Sequence, residues 1–230
     1  MRVLAIGAHP DDIELGCGAA LLAHVARGDR VAMLVMTPGE QGPQAAQSRV
    51  SEQQEAARRL GAELFWGGFQ DGVVPDGSLS VRAVESVIAS TGADILYTHS
   101  PNDTHQDHRT VAAASLAAAR RVTRVLTYEA PTSRGFVPQM FLDVEGFVEQ
   151  KLDLIRAHNS QVLKNRLVDL EAVAAQARFR GFQGRVHYAE AFEIERFVWD
   201  LSAGAIAAPS VEPEALLKAP DELRVFEAVS

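Results

Sequence analysis

The 230-residue chain has one cysteine, Cys17, so it can form no internal disulfide and no four-cysteine metal site. A single thiol is consistent with a reducing compartment, and any bound metal must be held by histidine and carboxylate. Long apolar runs are also missing: nothing approaches the ~18 consecutive apolar residues of a membrane-spanning helix. Positive charge is in short supply, with 22 Lys and Arg against 30 Asp and Glu and a formal net charge of −8. Nucleic-acid binding needs clustered Lys and Arg to neutralise phosphates, so this balance argues against it. The densest basic stretches, Arg120-Arg121 and Arg178 to Arg185, read as solvated surface or local ion pairs. No internal repeat is visible, which sets aside solenoids and propellers. The apolar opening Val3 to Gly7 resembles a short signal peptide, but its only charge is Arg2 and it runs straight into His9-Pro10-Asp11-Asp12. It reads as a buried strand, and the protein as cytoplasmic.

Runs rich in β-branched residues are plentiful. Val3–Gly7, Val31–Met36, Glu63–Trp66, Asp94–Thr98 and Arg124–Tyr128 read as buried strands, with shorter or alternating candidates at Phe141–Val144 and Phe192–Phe197 that suit a sheet edge. Helical spacing fills the intervals: Gly18 to Arg27, Gln47 to Leu60 before Gly61, Ser80 to Thr91 before Gly92, Asp107 to Arg121, Val144 to His158 and Asn165 to Arg180. Buried strands alternating with helices predict an α/β fold, a mostly parallel sheet with helices on both faces in a Rossmann-like three-layer sandwich. Residues 1–200 are expected to form this domain. From residue 201 the pattern decays into Ala, Pro, Glu and Ser, as expected of a C-terminal tail packed on the surface or used in subunit contacts. Phe197, Trp199 and Phe226 supply apolar anchors there and point to a homo-oligomer.

Two short motifs carry chemistry. Ala8-His9-Pro10-Asp11-Asp12 follows the first strand, at the carboxyl end where open α/β sheets bind ligands. Two acids and a histidine so close repel without a task, and a divalent cation removes the repulsion. Neighbouring side chains of an extended turn point to opposite sides, so the two aspartates are not equivalent: one can hold a metal while the other faces its water. Thr104-His105-Gln106-Asp107-His108 follows the fourth strand, with Asn102, Asp103 or Thr104 available as a helix cap. A lone His-Pro-Asp turn is ordinarily a loop, and a lone His-x-x-His pair is ordinarily capping or surface. Both at carboxyl ends of one sheet predict a shared metal site, and three ligands with one open position is the pattern of catalytic zinc. The Gly16-Cys17-Gly18 turn could open a helix toward a phosphate, but the dinucleotide fingerprint is incomplete and the adjacent acids repel anions.

The stretch Ala8-His9-Pro10-Asp11-Asp12-Ile13-Glu14-Leu15-Gly16-Cys17-Gly18, with His105-Gln106-Asp107-His108, resembles the PIG-L or LmbE-like zinc-dependent deacetylases of N-acetylglucosamine conjugates. Gln106 stands where that family commonly has proline. Arg49 with Glu52 and Glu55, His158-Asn159-Ser160-Gln161 and Ala189-Glu190-Ala191-Phe192 add support, and the resemblance spans about residues 2 to 197. It implies a Zn2+ cofactor held by His9, Asp12 and His108, with Asp11 as general base. It also implies His105 stabilising the oxyanion, Asp107 orienting a histidine, and Arg49 contacting an N-acetylated sugar or glycoconjugate. The rival readings are a zinc hydrolase of a non-sugar amide, and a non-catalytic binding domain on the same fold. Of the other histidines, His99 reads as a support behind the site, His24 as packing and His158 as hydrogen-bonded within the fold.

Overall fold

A computed structural model describes residues 1–42, 46–164 and 168–200; the expected tail from residue 201 and Phe226 lie outside the described residues. Residues 1–197 form one compact unit. Seven strands, β1 (Arg2–Gly7), β2 (Arg30–Val35), β3 (Glu63–Trp66), β4 (Ile95–His99), β5 (Arg124–Tyr128), β6 (Met140–Asp143) and β7 (Ala189–Phe197), make one sheet of order β3-β2-β1-β4-β5-β7-β6. Six α-helices accompany them among the described residues: α1 (Asp12–Ala26), α2 (Ala46–Leu60), α3 (Ser78–Thr91), α4 (Gln106–Ala118), α5 (Val148–Ile155) and α6 (Leu170–Gly184). Strands β1 to β5 pair in parallel, and β7 runs antiparallel to both its neighbours.

The alternation along each strand builds two apolar layers. Val3, Ala5, Met33 and Tyr97 meet Ile13, Cys17 and Leu21 of α1, Leu60 of α2 and Leu154 of α5. Leu4, Ile6, Leu34 and Leu96 point the other way, onto Val84 and Val87 of α3 and Val111 of α4. Because both faces are covered, the central strands carry apolar residues at every position, the pattern of a parallel sheet. The chain leaves β1 toward β2 and β3, then crosses to β4 on the opposite side. The carboxyl ends of β1 and β4 therefore bound the crevice at the switch in strand order, the usual ligand position in such sheets.

Several element boundaries depart from the sequence pattern. Helix α1 starts six residues before Gly18, because it is two helices joined at a break: Cys17 has φ −145° and ψ 20° inside it. The Glu190 carboxylate accepts the freed N–H groups of Ala19 (3.0 Å) and Ala20 (2.7 Å). Lys151 Nζ spans the gap, donating to Glu190 (2.6 Å) and to the Leu15 carbonyl (2.7 Å). The helix N-terminus that sequence offered to a phosphate is thus occupied by the protein's own carboxylate. Gly16 is required at the break, since a Cβ there would overlap the Tyr128 ring. Helix α5 covers only Val148–Ile155, because residues 144–147 form a turn with Gly146 at φ 84°. Helix α6 starts at Leu170, where Asp169 accepts the N–H groups of Glu171 and Ala172. Of the two strands expected at an edge only β6 lies at one, opposite the edge strand β3; β7 lies inside the sheet between β5 and β6.

Candidate active site

The turn after β1 is pinned from several sides. Thr37 Oγ1 donates to the Ala8 carbonyl (3.0 Å) and Arg49 Nη2 to the Pro10 carbonyl (2.7 Å). The Asp11 N–H donates to Gln53 Oε1 (3.1 Å). These bonds hold Asp11 at φ 94°, a left-handed conformation that costs a non-glycine residue on the order of 1–3 kcal/mol. The strain separates two adjacent carboxylates that would otherwise compete for one space.

Opposite it, the segment after β4 is organised by Asp103, whose Oδ1 accepts the His105 N–H (2.8 Å) and whose Oδ2 accepts from Ser133 Oγ (3.2 Å). The cap of α4 is His105 itself rather than Asn102, Asp103 or Thr104: its Nδ1 accepts the Asp107 N–H at 3.2 Å. That bond fixes the tautomer. With Nδ1 accepting, the proton of His105 sits on Nε2. Burial, then the neighbouring His108 and His9, hold its pKa below the usual range, so the ring is neutral at pH 7.

His9, Asp12 and His108 converge between these two turns. Asp12 Oδ2 lies 3.4 Å from His9 Nδ1, and Asp12 Oδ1 lies 3.4 Å from His108 Nε2. Two donors on one tetrahedral zinc, each about 2.0–2.1 Å from it, lie about 3.3 Å apart, so these separations suit a shared ion. Each imidazole also turns its other nitrogen to an acid. His9 Nε2 is 2.9 Å from Asp71 and 3.2 Å from Asp107, and His108 Nδ1 is 3.2 Å from Asp103. This carboxylate–histidine arrangement leaves one lone pair per ring directed at Asp12, as metal-ligating histidines are held.

Three overlapping groups of His and Asp have ligand atoms close enough for a cation: His9, His105 and His108; Asp12, His99 and His108; and His9, Asp71 and Asp107. Hydrogen bonding discriminates among their members. His99 Nε2 accepts the Ala8 N–H (3.1 Å), and its Nδ1 is buried without a partner among the described residues. Its ring stacks on His108 with centroids 4.0 Å apart, and burial together with His108 depresses its pKa to about 4. His105 carries its free proton on Nε2. Asp71 and Asp107 already accept from His9 and from the backbone, including Gly72 N–H on Asp107 and Gln41 N–H on Asp71. The set of His9, Asp12 and His108 takes members from two of these groups; Asp12 Oδ2 accepts the His9 backbone N–H (2.7 Å) while its Oδ1 faces His108, and two imidazoles with one carboxylate suit zinc.

The charges suit a cation as well. Burial would push Asp12 up, yet His108 and His99 hold it well below the usual carboxylate range. Burial lowers His9, but Asp107, Asp12 and Asp71 outweigh it and push its pKa up to about 12. Asp11 behaves oppositely: burial and repulsion from Asp12 raise it to about 6, opposed by Arg49, whose Nη2 is 3.5 Å from Asp11 Oδ2. Arg49 is buried and makes no pair with Glu52, which instead accepts from Ser160 N (2.8 Å) and Oγ (2.6 Å). His9, Asp11, Asp12, Arg49, His105 and His108 all line one basin of about 410 Å³. Pro131 and Thr132, from the loop after β5, form part of its wall.

Sequence reasoning passed over Asp71 and Gln53, and offered Asp103 only as a helix cap. Asp71 had a signal, since it follows β3 at the carboxyl end of the sheet. Gln53 lies four residues after Arg49, on the same face of α2, which was also legible. His158, expected to hydrogen-bond within the fold, is buried with its Nε2 3.5 Å from Glu14 Oε1, a contact that raises its pKa against the effect of burial, while its Nδ1 has no partner among the described residues. His24 bridges Asp29 (2.7 Å) and Tyr97 (3.0 Å), apart from the basin.

Comparison with known proteins bears on the family and the fold. The family profile described as "PIG-L: GlcNAc-PI de-N-acetylase" matches residues 4–119. A protein of Escherichia coli (strain K12) named "Uncharacterized deacetylase YaiS" is 36% identical over 167 residues, covering 69% of this chain and 90% of that protein. Among solved structures, an N,N'-diacetylchitobiose deacetylase from Pyrococcus horikoshii superposes with a TM-score of 0.75 at 23% identity, over 84% of this chain and 82% of that one. A 4-carboxy-2-hydroxymuconate hydratase from Pseudomonas putida superposes with a TM-score of 0.76 at 19% identity, over 87% of this chain and all of that one (100%). At such identities the two structures speak for the fold alone.

Proposed function

The chain belongs to the PIG-L family of de-N-acetylases, and from that premise we propose that it is a zinc-dependent hydrolase. Its substrate on this reading is an N-acetylglucosamine-type conjugate, from which it releases acetate and a free amine. The observation that carries the reading is the pair of imidazole lone pairs of His9 and His108 facing opposite oxygens of Asp12, each ring backed by its own carboxylate. A hydratase on the same fold means that the scaffold does not choose the reaction, so the argument rests on the side chains.

His9, Asp12 and His108 would hold the ion. When bound, zinc supplies a Lewis acid for the acetamide carbonyl and lowers the pKa of water toward about 7. Asp11, ionised at neutral pH and steadied by Arg49, takes a proton as water oxygen bonds to the acyl carbon. His105 donates its Nε2 proton in a hydrogen bond to the carbonyl oxygen as that atom gains negative charge. A doubly protonated His105 does not suit this geometry, because Nδ1 accepts the Asp107 N–H. Loss of the Nε2 proton would leave an anion. Asp11 therefore returns its proton to the nitrogen as the C–N bond breaks, and the amine departs. Arg49 lines the same basin as His105 and is suited to a sugar hydroxyl or ring oxygen.

The test is a deacetylation screen of the zinc-loaded protein on N-acetylated sugars, their conjugates and non-sugar acetamides, read by acetate and free amine. Turnover of the sugar compounds that is abolished by chelator and restored by zinc is expected. No release from any acetamide at full zinc occupancy overturns the reading, and release from the non-sugar amides alone overturns its substrate half.

A further inference from the structure

Helix α2 grips both ends of one peptide unit. Arg49 Nη2 donates to the Pro10 carbonyl (2.7 Å), and Gln53 Oε1, one turn further along, accepts the Asp11 N–H (3.1 Å). That carbonyl and that N–H belong to the single planar peptide between Pro10 and Asp11, so its plane is held from two sides. A non-glycine residue keeps a φ of 94° only where its surroundings over-determine it. Gln53 can do its part in one orientation alone. Its side chain carries an oxygen on one branch and an NH2 on the other, and a half-turn of the amide would set a donor against the Asp11 N–H.

The Glu14 carboxylate decides that orientation. Gln53 Nε2 donates to Glu14 Oε1 at 2.7 Å, and an ionised carboxylate only accepts, so the amide oxygen is left for Asp11. Behind Glu14 stands His158, with Nε2 3.5 Å from the same oxygen. Glu52, the neighbour of Gln53, accepts the Ser160 N–H (2.8 Å) and hydroxyl (2.6 Å) and so ties residues 158–161 to α2. Burial lowers the pKa of His158, but Glu14, Asp11 and Glu52 together outweigh it and raise it, so imidazole and carboxylate attract. Gln53, Glu14 and His158 are buried, and none of them lines the basin. They reach the chemistry only through other residues. Apolar side chains of similar volume would serve a core at least as well as a buried imidazole–carboxylate pair. What the pair supplies is direction.

Resting on the reading of Asp11 as the base, we infer that Glu14, backed by His158, is a positioning residue: it holds the Gln53 amide in the one orientation that locks the Pro10–Asp11 peptide, and thereby the carboxylate that takes the proton. Without the lock, the turn relaxes toward ordinary negative φ, and Asp11 and Asp12 lose their fixed separation.

The test reads kcat and KM of the zinc-loaded protein and, without any substrate, hydrogen exchange of the Asp11 amide by NMR. Glu14→Met and Gln53→Met should each lower kcat about tenfold or more with KM within about twofold, because a small displacement of a reacting group is costly. Both should speed exchange at Asp11 about tenfold or more while the amides of β1 and β4 keep their protection. Glu14→Gln, whose carbonyl can still accept from Gln53, should keep most of the rate and the slow exchange. His158→Leu should lower kcat by a smaller factor than Glu14→Met. In an Asp11→Asn background, Glu14→Met should cost no further kcat, since the group it positions is gone. Losses that add in full to that of Asp11→Asn, equal losses in Glu14→Gln and Glu14→Met, or exchange that is unchanged at Asp11 or raised throughout β1 and β4 overturn the inference and leave the deacetylase reading standing. A His158→Leu rate equal to wild type removes His158 from the lock. Fast exchange confined to the Asp11 turn, in a protein that cleaves no acetamide, overturns the deacetylase reading and leaves the lock in place.

Discussion

At the scale of single residues, the two adjacent aspartates are separated by environment. Asp12 is surrounded by imidazoles, whereas Asp11 is buried, strained and raised to about 6. Asp11→Asn should retain zinc yet lower turnover by roughly 10²–10⁴-fold, the usual worth of a positioned base. A zinc-loaded variant with near wild-type rate would show that the base lies elsewhere. The same substitution should stabilise the metal-free protein. A carboxyl whose folded pKa exceeds its unfolded value of 3.8 gives its full stability below that value, and loses it as pH rises through about 6. Above that pH the asparagine variant should gain up to about 3 kcal/mol over wild type, seen in urea melts at pH 5 and pH 8 with chelator present. In the wild-type enzyme kcat/KM should rise with pH to a plateau with its midpoint at or below about 6, since a cation on Asp12 cancels part of the repulsion. Asp71→Asn tests the support behind His9: a neutral amide should weaken zinc affinity about 10–100-fold while Asp11 chemistry on the loaded enzyme persists. Unchanged zinc affinity would mean that Asp107 alone orients the ring.

At the scale of elements, the break in α1 depends on the buried pair Lys151–Glu190. Glu190→Ala leaves two helix N–H groups without partners and a buried ammonium with only the Leu15 carbonyl, and removal of one member of such a pair costs about 3–5 kcal/mol. Lys151→Met leaves the Glu190 carboxylate its two N–H donors and should cost less. Chemical denaturation that ranked the lysine variant as the worse of the two would refute this account of the break. This element was also the least legible in sequence. The helix was expected from Gly18 because its first turn, from Asp12 to Gly16, holds acids and glycine. The break that follows that turn is closed from a strand some 170 residues away, where Glu190 accepts the N–H groups of Ala19 and Ala20. The central strands were readable because burial on both faces leaves apolar residues at every position. The direction of β7 was not readable, because alternation along a strand is the same for either orientation.

At the scale of the molecule, the sheet's change of strand order brings residues 9–12 and 105–108 together, and this much was visible as two motifs at strand ends. The residues that orient them were not, since Asp71, Asp103 and Gln53 acquire meaning only when β3, β4 and α2 are folded beside β1. No helix among the described residues is long and apolar enough to cross a membrane. The whole fold should respond to metal, because an ion that binds only the native state stabilises it by mass action. Zinc at 100 times its dissociation constant should add about 2.7 kcal/mol, visible as a rise in Tm that a chelator reverses. An unchanged Tm across that range would mean that no ion binds the native site.

The carboxylate that closes the break in α1 also ties together distant parts of the described chain. Glu190 follows the proposed ligands His9 and Asp12 by some 180 residues. A chain truncated before β7 would hold every proposed ligand and the proposed base, yet its first helix would lack this clamp. The proposed site and the last described strand should therefore be lost together.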